Sequence, residues 1–164
     1  MIMDGGFAPV RSGWRAPLRP VPPPPAGFRR FAAADLPVLG ALMWDAYRGT
    51  PDEDDVGGPD GALRELRLTL AGEYGPFLPD ASYVAEPDGR PVAAALVTVY
   101  RDEPLLAFLF TAPPHTGRGL GRELILAVMH ALAEQGHDTL TLAVTRRNRR
   151  ARLLYHRLGF VEIH

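Results

Sequence analysis

Residues 105–132 read LLAFLFTAPPHTGRGLGRELILAVMHAL. The opening run, Leu105 to Thr111, is short, strongly apolar and stopped by Pro113 and Pro114, which is the pattern of a central strand. From Leu120 the period changes. Leu120, Leu124, Val128, Ala131 and Leu132 form a helical stripe that ends near Gly136. Gly117, Gly119 and Gly121 alternate with other residues where the strand passes into the helix. The first N–H groups of a helix lack intrahelical partners and lie at the positive end of its dipole. Glycine lets a ligand approach them closely. A phosphate or pyrophosphate is the natural guest. Arg118 and Arg122 offer charge-assisted contacts, with His115 beside them. Two familiar nucleotide loops do not fit: Leu124 stands where a dinucleotide fingerprint needs its third glycine, and a Walker loop needs a lysine that this chain lacks.

On the N-terminal side of this unit, Phe28 to Phe31 reads as a short strand. Asp35 caps a helix running to about Arg48, with Leu36, Leu39, Leu42, Met43 and Ala46 on one face and Pro37 in its first turn. A loop spans residues 49–61, and Leu63, Leu66, Leu70 and Tyr74 mark a second helix. Strands are expected over 82–86 and 92–100, joined by a tight turn at Pro87–Arg90. On the C-terminal side come a strand over 139–144, a helix over 148–158 striped by Ala151, Leu154, Tyr155 and Leu158, and a short strand over 160–163. This order fits an α/β domain in which a mixed sheet carries helices on both faces.

The 164 residues favour one domain, here residues 28–164, behind a flexible proline-rich leader over 1–27 that contains PVPPPPAG. All 18 of the lysine-plus-arginine count are arginine, so lysine nucleophiles and Schiff bases are excluded. The absence of cysteine excludes disulfides, thiolate nucleophiles and Cys-bound metals. A formal net charge of −1 gives no reason to expect an obligate nucleic-acid partner. No apolar run reaches the length of a membrane span and no secretory h-region opens the chain, so a cytoplasmic location is expected. His130 and Glu134 sit four apart without an H-E-x-x-H pattern, and no metal site is expected.

With these residues in view, the chain resembles the GCN5-related N-acetyltransferase (GNAT) family. The family loop, Arg/Gln-x-x-Gly-x-Gly/Ala, falls on Thr116-Gly117-Arg118-Gly119-Leu120-Gly121. A second signature, Asn-x-x-Ala-x-x-hydrophobic-Tyr-x-x-hydrophobic-Gly-Phe, falls on Asn148 through Ala151, Leu154, Tyr155 and Leu158 to Gly159-Phe160. The resemblance implies a three-layer α-β-α fold and transfer of an acetyl group from acetyl-CoA directly to an amine, on a small molecule or a peptide. It implies that the pyrophosphate of coenzyme A rests on N–H groups of Arg118, Gly119, Gly121 and their neighbours Thr116, Gly117, Leu120 and Arg122. Pantetheine would pair with backbone at Leu109, Phe110 and Thr111, and Asn148 would reach the pantetheine arm or fix the turn before its helix. Tyr155 would protonate the leaving thiolate, and an oxyanion donor is expected near Phe110 or Thr111.

A phenol is protonated at neutral pH, and Tyr155 shares a helix face with Ala151 and Leu158, so it points towards the sheet. The attacking amine must be neutral, which calls for a base. Glu73 is the first candidate, followed by Glu86 and Glu65, with Asp80 behind them. The acidic run Asp52–Asp55 reads either as a solvated loop or as an attractor for a cationic amine. Thr116 stands where the family has Arg or Gln, so a phosphate contact is either lost or supplied by His115 and Arg118. The chain ends four residues after Phe160, which implies a short closing strand and a cleft left more open or completed by a second subunit of a homodimer. A domain that binds coenzyme A as a sensor without transferring anything is the alternative function.

Overall fold

The structure is a computed structural model that describes residues 11–50 and 52–164. In chain order the elements are β1 (Arg11–Pro17), β2 (Phe28–Arg30), α1 (Leu36–Tyr47), α2 (Gly58–Leu70), β3 (Tyr83–Ala85), β4 (Ala93–Tyr100), β5 (Glu103–Thr111), α3 (Leu120–Glu134), β6 (Thr139–Thr145), α4 (Arg149–Arg157) and β7 (Val161–Ile163). The strands form one seven-stranded sheet in the order β2-β3-β4-β5-β6-β1-β7. Its pairings are antiparallel except that between β5 and β6.

Period-two alternation sends neighbouring residues of β4 to opposite layers. Ala94 and Leu96 face Leu39, Met43 and Leu66 of α1 and α2. Ala93, Ala95 and Val97 face Leu124, Ile125, Val128 and Leu132 of α3. The mixed sheet with helices on both faces is therefore the observed architecture.

The expectation of an irregular leader through residue 27 is corrected by β1. Arg11–Pro17 pairs along its whole length with β6, from Arg11 opposite Thr145 to Pro17 opposite Thr139, and its other edge carries β7. Trp14 and Ala16 are buried in the layer beneath α3 and α4. The alternation that marks this strand is short, and Gly13 and Pro17 lower its apparent strand character. The sheet beyond β6 is thus closed mainly by β1 within the same chain, and β7 adds only an edge. Residues 18–27 have no regular structure, yet they lie against the domain. Leu18 N–H donates to Asp138 O at 2.8 Å, His130 Nδ1 donates to Val21 O at 3.0 Å, and both Leu18 and Val21 pack on the core. Residues 1–10 of the expected leader lie outside the described residues.

Other boundaries moved for identifiable reasons. The helix α2 starts at Gly58, inside the expected loop, because Pro59 in its first turn needs no N–H partner; it also stops before Tyr74. Asp35 occupies the N-cap position of α1 but does not cap it. Its carboxylate accepts from Arg29 Nη1 at 2.9 Å and Nη2 at 2.8 Å, and from Ala32 N–H at 2.8 Å. This set holds its pKa below the usual carboxylate value, with the Arg29 hydrogen bond as the main cause.

Candidate active site

The strands β5 and β6 pair only at Leu105–Thr141 and Leu106–Leu142, then part. The cause lies on the other side of β5. There the register with β4 runs from Leu96–Phe108 directly to Val97–Leu106, leaving Ala107 as an extra residue. Such a bulge bends its strand and breaks the local ladder. Beyond it, Leu109–Thr111 and Ala143–Thr145 face each other across a cavity of about 640 Å³, within the size range of small-molecule sites.

One end of this cavity is the glycine loop. Gly117 and Gly119 both have φ +80°, a left-handed conformation that favours glycine. Gly119 is the N-cap of α3 and supplies no side chain to the free N–H groups that follow. A Cβ at Gly119 would meet nothing within 4 Å, so the loop's glycine serves backbone conformation and leaves the space above it open. Thr116, Gly117, Gly119, Leu120, Gly121 and Arg122 all line the cavity, and Leu109, Phe110 and Thr111 form its β5 wall. Arg118 does not line it; its guanidinium turns to His115 Nδ1, 3.3 Å away. Thr116 donates its hydroxyl proton to Pro113 O at 2.9 Å and serves the turn. A basic side chain comes instead from α4: Arg150 lines the cavity, with a guanidinium nitrogen 3.7 Å from where a Cβ on Gly117 would lie.

Tyr155 of α4 lies in the cavity wall with 8% of its surface exposed and its ring against Phe160, 5.8 Å between centroids. Among the described residues its hydroxyl has no hydrogen-bond partner. Burial pushes its pKa well above that of a free phenol, and the Asp52 charge adds to the rise, so the proton stays on oxygen at neutral pH. Asn148 is also in the wall, and its side-chain oxygen accepts Ala151 N–H at 3.1 Å, capping α4. Of its two expected roles, this contact is the one that fixes the turn.

The carboxylates named from sequence do not meet the cavity. Glu86 is ion-paired with Arg29 in the β2–β3 region. Glu65 accepts the Tyr74 hydroxyl at 3.0 Å, and that phenol's pKa is pushed up to about 12, chiefly by burial. Glu73 and Asp80 are exposed outside the cavity. Among the described residues the carboxylate that lines it is Asp52. The sequence signal for it was the acidic run between the first two helices; nothing local distinguished Asp52 from its neighbours. Tyr47, at the end of α1, forms an aromatic wall by packing edge-on to Phe110 at 6.3 Å.

A sheet parted beyond a bulge, with helices on both faces, an uncapped helix start at one end of the cavity and a buried phenol in its wall, defines an α/β domain with a cavity between β5 and β6. The chain belongs to the Acetyltransferase (GNAT) family, whose sequence profile matches residues 44–160. A mycothiol acetyltransferase of Acidimicrobium ferrooxidans is 32% identical over 155 residues, covering 90% of this chain and 47% of that protein. A 5-NmdU N-acetyltransferase of Pseudomonas phage PaMx11 is 39% identical over 80 residues, covering 48% of this chain and 55% of that one. The chain spans less than half the length of the mycothiol acetyltransferases it matches. Among solved structures, the ribosomal-protein-S18-alanine N-acetyltransferase from Escherichia coli aligns with a TM-score of 0.66 at 26% identity, covering 84% of this chain and 78% of that one. A GCN5-related N-acetyltransferase from Sphaerobacter thermophilus aligns with a TM-score of 0.68 at 23% identity, covering 95% and 50%.

Proposed function

We propose that this domain transfers acetyl from acetyl-CoA directly to an amine. The observation that carries the reading is the cavity between β5 and β6, which combines three features: free backbone edges, the uncapped start of α3, and the unpartnered hydroxyl of Tyr155. The N–H groups from Gly119 onward, with Arg150 above them, suit a pyrophosphate. The parted strand edges suit the amides of pantetheine. In the reaction a C–N bond forms and the thioester C–S bond breaks. The amine nitrogen loses a proton to solvent, the sulfur takes one from Tyr155 Oη, and the phenolate is reprotonated from solvent. A backbone N–H freed by the bulge at Ala107 is closer in sequence to the fork than Phe110 or Thr111 and is the better candidate oxyanion donor.

Calorimetric titration with acetyl-CoA, followed by thiol-release assays over a panel of amines, tests the reading. Binding in the micromolar range with turnover on at least one amine is expected. Tyr155→Phe should lower kcat by about 10²- to 10⁴-fold while leaving coenzyme affinity unchanged. No uptake of acetyl-CoA at millimolar concentration would overturn the proposal. Binding without turnover on any amine would favour a coenzyme A sensor.

A further inference from the structure

The acidic run between α1 and α2 does not behave as one solvated patch. Glu53 turns back to accept Gly49 N–H at 2.9 Å, and Asp54 is exposed. Asp52 turns inward to the cavity that Tyr155 also lines. Its side chain is 22% exposed, and Oδ1 accepts the Thr145 hydroxyl at 2.6 Å, with the Arg11 guanidinium 3.9 Å away. Among the described residues, Oδ2 accepts no hydrogen bond. A partly buried carboxylate held by one oxygen has capacity left for a cationic donor.

The surroundings narrow what that donor is. Asp52 comes from the α1–α2 connection, while the glycine loop follows β5, so the two reach the cavity from different elements. The cavity wall also holds Ala46, Tyr47 and Phe110, with the two rings edge-on. A cavity with apolar and aromatic lining and a single carboxylate suits an ammonium group on a slender chain. A thioester carrier offers no cation there, whereas an acceptor amine arrives protonated.

We propose that Asp52 is the acceptor-recognition residue of this site: its free carboxylate oxygen pairs with the ammonium of a primary amine and sets that nitrogen facing the thioester, where it gives up a proton to solvent before it attacks. The inference rests on the acetyl-transfer reading of the cavity and adds the residue that recognises the acceptor's cationic form. Thr145 is a positioning residue, because it holds the Asp52 oxygen that does not face the acceptor. The expected leader reading gave no hint of this arrangement, since Arg11 and Thr145 meet only through the pairing of β1 with β6.

Two thioethers of coenzyme A provide the test, one S-alkylated with a 2-aminoethyl group and the other with a 2-hydroxyethyl group. They differ only in a terminal ammonium against a hydroxyl. By calorimetry at pH 7, the wild-type chain is expected to bind the ammonium thioether roughly 10- to 100-fold more tightly. In Asp52→Asn that preference should disappear while affinity for coenzyme A itself is kept. Equal affinity of the wild type for both thioethers, or an undiminished preference in Asp52→Asn, would overturn the inference and leave the coenzyme reading intact. Failure of the wild type to bind coenzyme A at all would overturn the coenzyme reading and this inference with it. If Asp52→Asn loses coenzyme affinity through misfolding, Asp52→Ser, which keeps a hydroxyl partner for Thr145, carries the same comparison.

Discussion

Replacing Trp14 by alanine separates an integral β1 from a dispensable leader. Trp14 is 7% exposed and lies opposite Leu142 on one side and Glu162 on the other. Its indole N–H donates to Ser12 Oγ at 2.9 Å, and the Arg152 guanidinium sits 5.9 Å from the ring centroid. Truncating a buried aromatic of this kind costs about 3–5 kcal/mol through lost transfer energy and the cavity left behind. The cation–π contact accounts for only about 0.5–1 kcal/mol of this, so burial decides the magnitude. For a chain of this size, each kcal/mol moves Tm by about 2–4 °C. Trp14→Ala should therefore lower Tm by about 6–20 °C and shift the urea midpoint without a large change in m.

The control is Pro23→Ala, in the exposed part of the proline segment, which should stay within about 0.5 kcal/mol of wild type. Thermal unfolding followed by circular dichroism reads both. A drop below about 2 °C for Trp14→Ala would refute the placement of β1 in the sheet. It would mean that residues 11–17 contribute no more than a surface segment.

Three further outcomes follow from the same structure. Gly119→Val forces a β-branched residue into φ +80° at the start of α3 and should weaken coenzyme A binding by about tenfold or more, while Gly119→Asn, which tolerates that conformation, should weaken it less; titration calorimetry checks both. The β4–β5 turn has positive φ at Arg101 (51°) and Asp102 (65°), so Asp102→Gly relieves about 1–2 kcal/mol of strain against about 0.5–1 kcal/mol of added chain entropy. A Tm rise of up to about 6 °C is expected on thermal unfolding. Asp35 has a lowered pKa in the fold, so its pairing with Arg29 contributes stability that is present above the ordinary carboxylate range near 4 and is lost as pH falls through the lower folded value. Asp35→Asn should flatten the acid side of the stability–pH curve in denaturant titrations, with little change in its slope above pH 6.

Much of this was legible because period and punctuation agreed. The strand over Leu105–Thr111, its proline stop and the stripe from Leu120 each point one way, and β5 and α3 lie where they do. The glycine loop was legible as a turn into a helix for the same reason, and Gly117 and Gly119 both take the positive φ that glycine permits. What escaped the reading was non-local. The bulge at Ala107 is hidden inside a continuous apolar run, where a slip of one residue changes no visible alternation. Strand β1 is short and followed by prolines, and only its pairing with β6, more than a hundred residues away, makes it a strand. The base candidates failed likewise: Glu86 and Glu65 look free in sequence, but Arg29 and Tyr74 claim them in space. Asp52 differs from Glu53 and Asp54 only by the direction in which its loop turns.

The bulge and the N-terminal strand answer one mechanical problem. A cavity between β5 and β6 requires β6 to give up its ladder with β5 beyond Leu142, and a strand unpaired on both edges is marginal. Here β6 keeps all of its pairing on the far edge, because β1 runs beside it from Thr139 to Thr145. Strand β5 is held in the same way by β4, which stays in register past the bulge up to Ala93–Thr111. Each wall of the cavity is thus fixed from outside and open only inward, where backbone groups face the space a carrier would fill. The last pair of β1 and β6 is Arg11–Thr145, the two residues that also border Asp52. The strand that stabilises the open sheet therefore also ends where the acceptor carboxylate is held, so loosening β1 should disturb acceptor recognition before it disturbs the glycine loop, which hangs on β5 and α3.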